Sequence, residues 1–264
     1  MLTRNGTREA RPFLESAIRP LDRPAVGALL LAHGGKERSH QTVGPRNGPV
    51  QRVRWIGSAI APQLAELGVA VHVLRFRYQG WNGRDADSVP DVRWAVEQLS
   101  EQYGTVPIAL AGHSLGGRAV VNAADAPGVV AVLGLAPWLP PTEPTAQLAG
   151  RRLLLAHGTQ DRITSPRSSF EFAVRARVDG HEVARIVLPS SGHTLLSRAR
   201  DWNRLVLAFA YSALAVDGNA QADGPGWAGV PRPRYADVIE DAFAAPDARG
   251  LQRVLKADGG VRQL

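Results

Sequence analysis

The sequence predicts an α/β fold, and three observations carry the prediction. Six apolar, strand-like runs recur along the chain, helix-compatible segments lie between them, and the runs are apolar at successive positions rather than alternating with polar residues. Strands of that kind are buried on both faces, which calls for a parallel sheet covered by helices on each side and joined by right-handed crossovers.

The runs are "VGALLLAH" from Val26, "VAVHVLRFRY" from Val69, "PIALAGH" from Pro107, "VVAVLGLAPW" from Val129, "RRLLLAHG" from Arg151 and "EVARIVLP" from Glu182. After the first, Val53, Ile56, Ile60, Leu64 and Leu67 recur at spacings of three and four, the period of one helix face. Val92, Val96 and Leu99 repeat the pattern after the second run. Ser165, with Pro166 in the first turn, opens a helix after the fifth, and Leu195 to Leu214 reads as a closing helix. Residues 26–216 therefore form the predicted domain. Residues 1–25 read as an N-terminal extension without a clear hairpin. Residues 217–264 read as a Gly/Pro-rich linker and a short helical tail, with helices expected around Tyr235 to Phe243 and Asp247 to Leu255.

At 264 residues and 44% hydrophobic, the chain can bury a substantial core. The absence of cysteine excludes disulfides, thiolate nucleophiles, iron–sulfur clusters and cysteine–zinc sites. The net charge of +7 rests almost wholly on arginine, since Lys36 and Lys256 are the sole lysines. Those arginines are scattered, with no basic stripe interleaved with aromatics, so no nucleic-acid partner is expected. There is no apolar run of about eighteen residues, and the opening segment lacks a continuous apolar core, so neither a membrane span nor a signal peptide is expected; the cytoplasm is the expected location.

In parallel sheets, ligands bind beyond the carboxyl ends of the strands, and that is where chemistry is sought. Gly112-His113-Ser114-Leu115-Gly116 matches G-x-S-x-G. By composition such a match arises by chance in roughly one chain of this size in eight, so its context decides. It lies where a buried strand turns into a helix, the place where a nucleophile elbow forces so sharp a reversal that side chains two residues either side would collide. Glycine at 112 and 116 removes those collisions, and Gly117 lets the new helix approach the sheet. A serine hydroxyl needs a base, and the base needs an orienting group. Asp161 follows the fifth run and His193 the sixth. The order Ser, Asp, His is that of an α/β-hydrolase triad, and each gap has room for one helix and one strand.

On "GHSLGG", "HGTQDRIT", "SGHTLL" and "LLLAHGGKERS", across roughly residues 26 to 216, the sequence resembles the α/β-hydrolase superfamily. The resemblance implies a cofactor-independent serine hydrolase that cleaves a carboxylic ester or similar acyl bond of a small molecule. Ser114 would be its nucleophile, His193 its base and Asp161 the orienting carboxylate. A thioesterase or acyltransferase would use the same residues, as would a peptidase; a noncatalytic ligand-binding relative would need an unreactive Ser114. The oxyanion hole would combine the Leu115 N–H with one from "HGGKERSH", that of Gly35 or of Lys36. Gly34 and Lys36 would also border substrate. Trp81 and Trp138, each just past a strand, would wall the pocket or pack in the core. His33 and His157 read as turn residues or supports for the site, and no histidine and carboxylate set has metal-ligand spacing. Because "LPPTEPTAQLAG" runs almost directly into the next strand, little or no lid is expected. The predicted sheet has about six strands in the local order 2-1-3-4-5-6, without leading antiparallel strands.

Overall fold

Every residue of Gly27 to Ala32 is buried because helices cover both faces of the sheet. In the computed structural model, which describes residues 10–17, 21–215, 233–244, 252–255 and 261–263, the predicted runs become β2 (Gly27–Ala32), β3 (Val69–Arg75), β4 (Ile108–His113), β5 (Val129–Leu135), β6 (Arg152–Gly158) and β7 (Glu182–Leu188). They pair in parallel in the order β3-β2-β4-β5-β6-β7, the predicted arrangement, with Leu30 opposite both His72 and Leu110.

Successive residues of each strand feed two separate cores. Leu29, Leu31, Val71, Val73 and Leu133 meet α1 (Gly48–Glu66) and α5 (Ala199–Ala215) on one face. Leu30, Ala32, Leu110 and Val132 meet α2 (Ser88–Tyr103), α3 (Leu115–Asn122) and α4 (Pro166–Val178) on the other. Ser165 caps α4, its hydroxyl accepting the Ser168 N–H at 3.1 Å, with Pro166 in the first turn. Between β5 and β6 the chain makes a single 3₁₀ turn, Ala146–Leu148, and adds no lid. No helix of the described residues is long and apolar enough to cross a membrane.

Two expectations are corrected at the sheet edges, where the described residues form nine strands rather than six. The N-terminal extension contributes β1 (Phe13–Ser16), antiparallel to β3, so one leading antiparallel strand is present. Its four residues are too short for a periodic signal; the unpaired edge of β3 recruits it, and Glu15 fastens it to α1 through both carboxylate oxygens on Arg54, at 2.5 and 2.8 Å. At the opposite edge, the tail forms α6 (Ala236–Phe243) as expected, with Tyr235, Ile239 and Ala242 buried. Where the second tail helix was expected, Gln252–Leu255 instead forms β8, parallel to β7, and Val261–Gln263 forms β9, antiparallel to β8. The outer edge of β7 supplies the backbone partners that a four-residue segment cannot supply to itself. The Gly/Pro-rich stretch lies outside the described residues.

Candidate active site

Ser114 sits between β4 and α3 with φ 56° and ψ −116°, a conformation that costs a non-glycine residue on the order of 1–3 kcal/mol. The surrounding chain fixes it there. The Ser114 N–H donates to the Leu135 carbonyl at 3.0 Å, and its carbonyl accepts the N–H groups of Trp138 and Arg118 at 3.1 and 3.2 Å. A Cβ on Gly112 would fall on the carbonyl of Gly116, and one on Gly116 would lie 2.5 Å from the His33 carbonyl oxygen. A Cβ on Gly117 would press on Pro137. The elbow therefore needs all three glycines, and it projects the serine from the carboxyl end of β4.

Asp161 leaves the end of β6 and His193 the end of β7, two neighbouring strands that bring their loops together. His193 Nδ1 lies 2.8 Å from Asp161 Oδ2, and Nε2 lies 3.0 Å from Ser114 Oγ. Burial opposes ionisation of Asp161, but it is outweighed. Hydrogen bonds from His157, His193 and the N–H groups of Thr164 and Ile163 hold the carboxyl well below the usual carboxylate range. An ionised carboxylate only accepts, so His193 carries its proton on Nδ1 and presents the Nε2 lone pair to the serine hydroxyl. The same logic assigns the fully buried His157: Nε2–H donates to Asp161 at 3.2 Å, and Nδ1 faces Ser169 Oγ at 2.8 Å. Burial holds His157 below its ordinary value, against the opposing pull of Asp161.

The loop after β2 lies over Ser114, close enough that a Cβ on Gly34 would be 3.3 Å from the serine Cβ. His33 Nδ1–H donates to the Gly34 carbonyl at 2.6 Å while Nε2 accepts the Phe76 N–H at 3.1 Å. The Lys36 N–H donates to the Gln79 carbonyl at 2.7 Å and is thereby engaged elsewhere. Gly35 packs so tightly on Gln79 that a Cβ would overlap its carbonyl.

Solved structures share this architecture. An α/β serine hydrolase without a lid from Xanthomonas campestris matches with a TM-score of 0.53, at 18% identity over 76% of this chain and 87% of that one. The esterase domain of a Rhodothermus marinus protein matches at 0.54, with 23% identity over 81% and 96% of the two chains. Est1E from Butyrivibrio proteoclasticus, solved with ferulic acid bound, matches at 0.52, with 17% identity over 78% and 95%. The chain has the α/β-hydrolase fold. No protein-family model and no curated protein matches it.

Within this α/β-hydrolase frame, Ser114 and His193 open into a pocket of about 380 Å³ that Gly34 and Gly35 also border. Trp81, Trp138 and Lys36 do not line it. Trp81 is buried and Trp138 half-buried, their rings edge to face at 6.4 Å, and the Arg118 guanidinium stacks over both, 3.8 and 4.6 Å from the ring centres. Of the two readings of this pair, these contacts fit packing, the rings touching each other and the Arg118 guanidinium. The pocket mouth instead carries Trp55, Ile163 and Leu196, apolar and exposed, with Arg52 buried in the wall. Their signals were in the sequence: Trp55 lies off the inward face of α1, and Ile163 and Leu196 are apolar residues in polar loops, two and three positions past Asp161 and His193. His113, the variable residue of the elbow, donates Nε2–H to the His193 carbonyl at 2.8 Å, a contact no linear pattern reveals. Away from this pocket, His40, Asp85 and Asp87 gather near the surface with ligand atoms within 4.8 Å of one another. Asp87 there already accepts the Asn82 amide at 2.7 Å.

Proposed function

We propose that the protein is a cofactor-independent serine hydrolase that cleaves a carboxylic ester of a small molecule through an acyl-enzyme on Ser114. The observation that supports this reading is the pair of hydrogen bonds linking Ser114 to His193 and His193 to Asp161 at 3.0 and 2.8 Å. Ser114 Oγ attacks the ester carbonyl as its proton passes to His193 Nε2. Asp161 holds the imidazole in the required tautomer and stabilises the imidazolium without taking its proton. The oxyanion is received by the Leu115 N–H at the start of α3, where the helix dipole favours negative charge, and by the Gly35 N–H. His193 then protonates the departing alcohol. Water enters, gives a proton to His193 and attacks the acyl carbon; collapse of the second tetrahedral intermediate frees the acid and restores Ser114.

Fluorophosphonate labelling tests the reading. Wild type is expected to be labelled at Ser114 and Ser114→Ala to take up none, while Asp161→Asn, which loses the tautomer control, loses roughly a thousandfold or more in kcat on a short activated ester. Equal labelling of wild type and Ser114→Ala would overturn the mechanism.

A further inference from the structure

The wall of the same pocket contains a buried cation that the hydrolytic steps leave unused. Arg52, one turn into α1, is 8% exposed on a helix whose other inward residues include Val53, Ile56 and Ile60. Its Nη2 donates to the Leu195 carbonyl at 2.5 Å, and its Nε is buried without a hydrogen-bond partner. Among the described residues no carboxylate pairs with it, and burial alone pulls the guanidinium below its ordinary value. A charge held in this way is costly unless an anion joins it. A second feature has the same sign. The first residues of α1, Gly48 and Pro49, border the pocket, and that turn has no side-chain cap and no acidic residue, so its positive end is uncompensated.

We propose that Arg52 and the start of α1 form an anion subsite beside Ser114, selecting esters that carry a carboxylate on an apolar body. The inference rests on the hydrolase reading for its reaction and on geometry alone for its ligand. One guanidinium, already engaged on one side by Leu195, matches a single negative charge. Trp55, Ile163 and Leu196 at the mouth match an apolar body lying across it. A cavity of about 380 Å³ has room for a small acyl group with its carboxylate.

Two measurements on the full chain test it. Calorimetric titration of the Ser114→Ala protein with 4-phenylbutanoate and its neutral amide should show the acid binding about tenfold or more tightly. That gap should collapse in the Ser114→Ala, Arg52→Gln double variant and survive in part with Arg52→Lys. In the second, the ratio of kcat/KM for an aryl succinate half-ester to that for the neutral aryl 4-oxopentanoate should favour the half-ester in wild type and fall about tenfold in Arg52→Gln, whatever the absolute rates. Acid and amide binding equally, or a gap unchanged by Arg52→Gln, overturns the subsite. Arg52-dependent binding of the acid, without turnover of either ester above the Ser114→Ala level, supports the subsite and overturns the hydrolase reading instead.

Discussion

The His33 ring holds the Gly34 carbonyl at 2.6 Å, and that single bond directs the N–H of the next residue. In a trans peptide the carbonyl and the following N–H point to opposite sides, so fixing the Gly34 oxygen on His33 turns the Gly35 N–H away from it. The Lys36 N–H, bound to Gln79, is not free for the same task. Burial holds His33 down at about 4, so it stays neutral, with Nδ1 as donor and Nε2 as acceptor. His33→Phe should therefore lower kcat on a short ester about 10- to 100-fold and change KM little, because in the proposed mechanism the Gly35 N–H that this contact orients acts chiefly in the transition state. A change in KM alone would argue against that role; steady-state kinetics separates the two.

The elbow glycines can be tested by adding one methyl group. Gly116→Ala would place a Cβ 2.5 and 2.6 Å from the carbonyl oxygens of His33 and Ala32, backbone at the end of β2 that cannot move without disturbing the sheet. A loss of about 2 kcal/mol or more is expected in denaturant unfolding. Gly44→Ala, where nothing lies within 4 Å, should stay within about 0.5 kcal/mol of wild type.

The contrast between those positions shows what the sequence could carry. The six parallel strands follow from apolar runs that no alternating surface strand would have, their order from the family resemblance, and Ser114, Asp161 and His193 could be singled out because each stands just past such a run. What was not legible depends on pairing through space. β1 and β8 are four residues each, too short to show a period, and exist because the sheet edges supply their partners. Trp81 and Trp138, both in loops, carry the same aromatic signal whether they wall a pocket or hold Arg118; the nearness of that arginine, on α3, is visible in the structure alone.

Buried histidines, three of them shifted far from the ordinary value, should make the fold sensitive to acid. Burial lowers His33 and His72 from the ordinary 6.5 to about 4 and His113 to about 3, where the neighbouring His193 adds to the effect. Between those values and 6.5 the unfolded chain binds protons that the folded chain refuses, so stability rises with pH across this window. It is fully present above about 6.5 and is lost as pH falls toward 4, each histidine contributing on the order of 3 kcal/mol. Denaturant unfolding at pH 7.5, 6 and 5 should show the decline, and His72→Phe, which removes one of the three groups along with its 2.8 Å bond to Tyr103, should flatten it.

Trp81 distinguishes stability from substrate binding. Its ring is buried, edge to face with Trp138, and covered by the Arg118 guanidinium, which Glu143, itself buried, pairs at 2.6 Å. Removing the ring would leave a cavity and uncover one face of a partly desolvated cation. Trp81→Ala should therefore destabilise by about 3–5 kcal/mol. Because the ring does not border the pocket that Ser114 opens into, KM for a short ester should change less than about twofold at a temperature where the variant remains folded. A tenfold rise in KM with an unchanged melting temperature would return Trp81 to the substrate site and require the pocket to extend past Arg118.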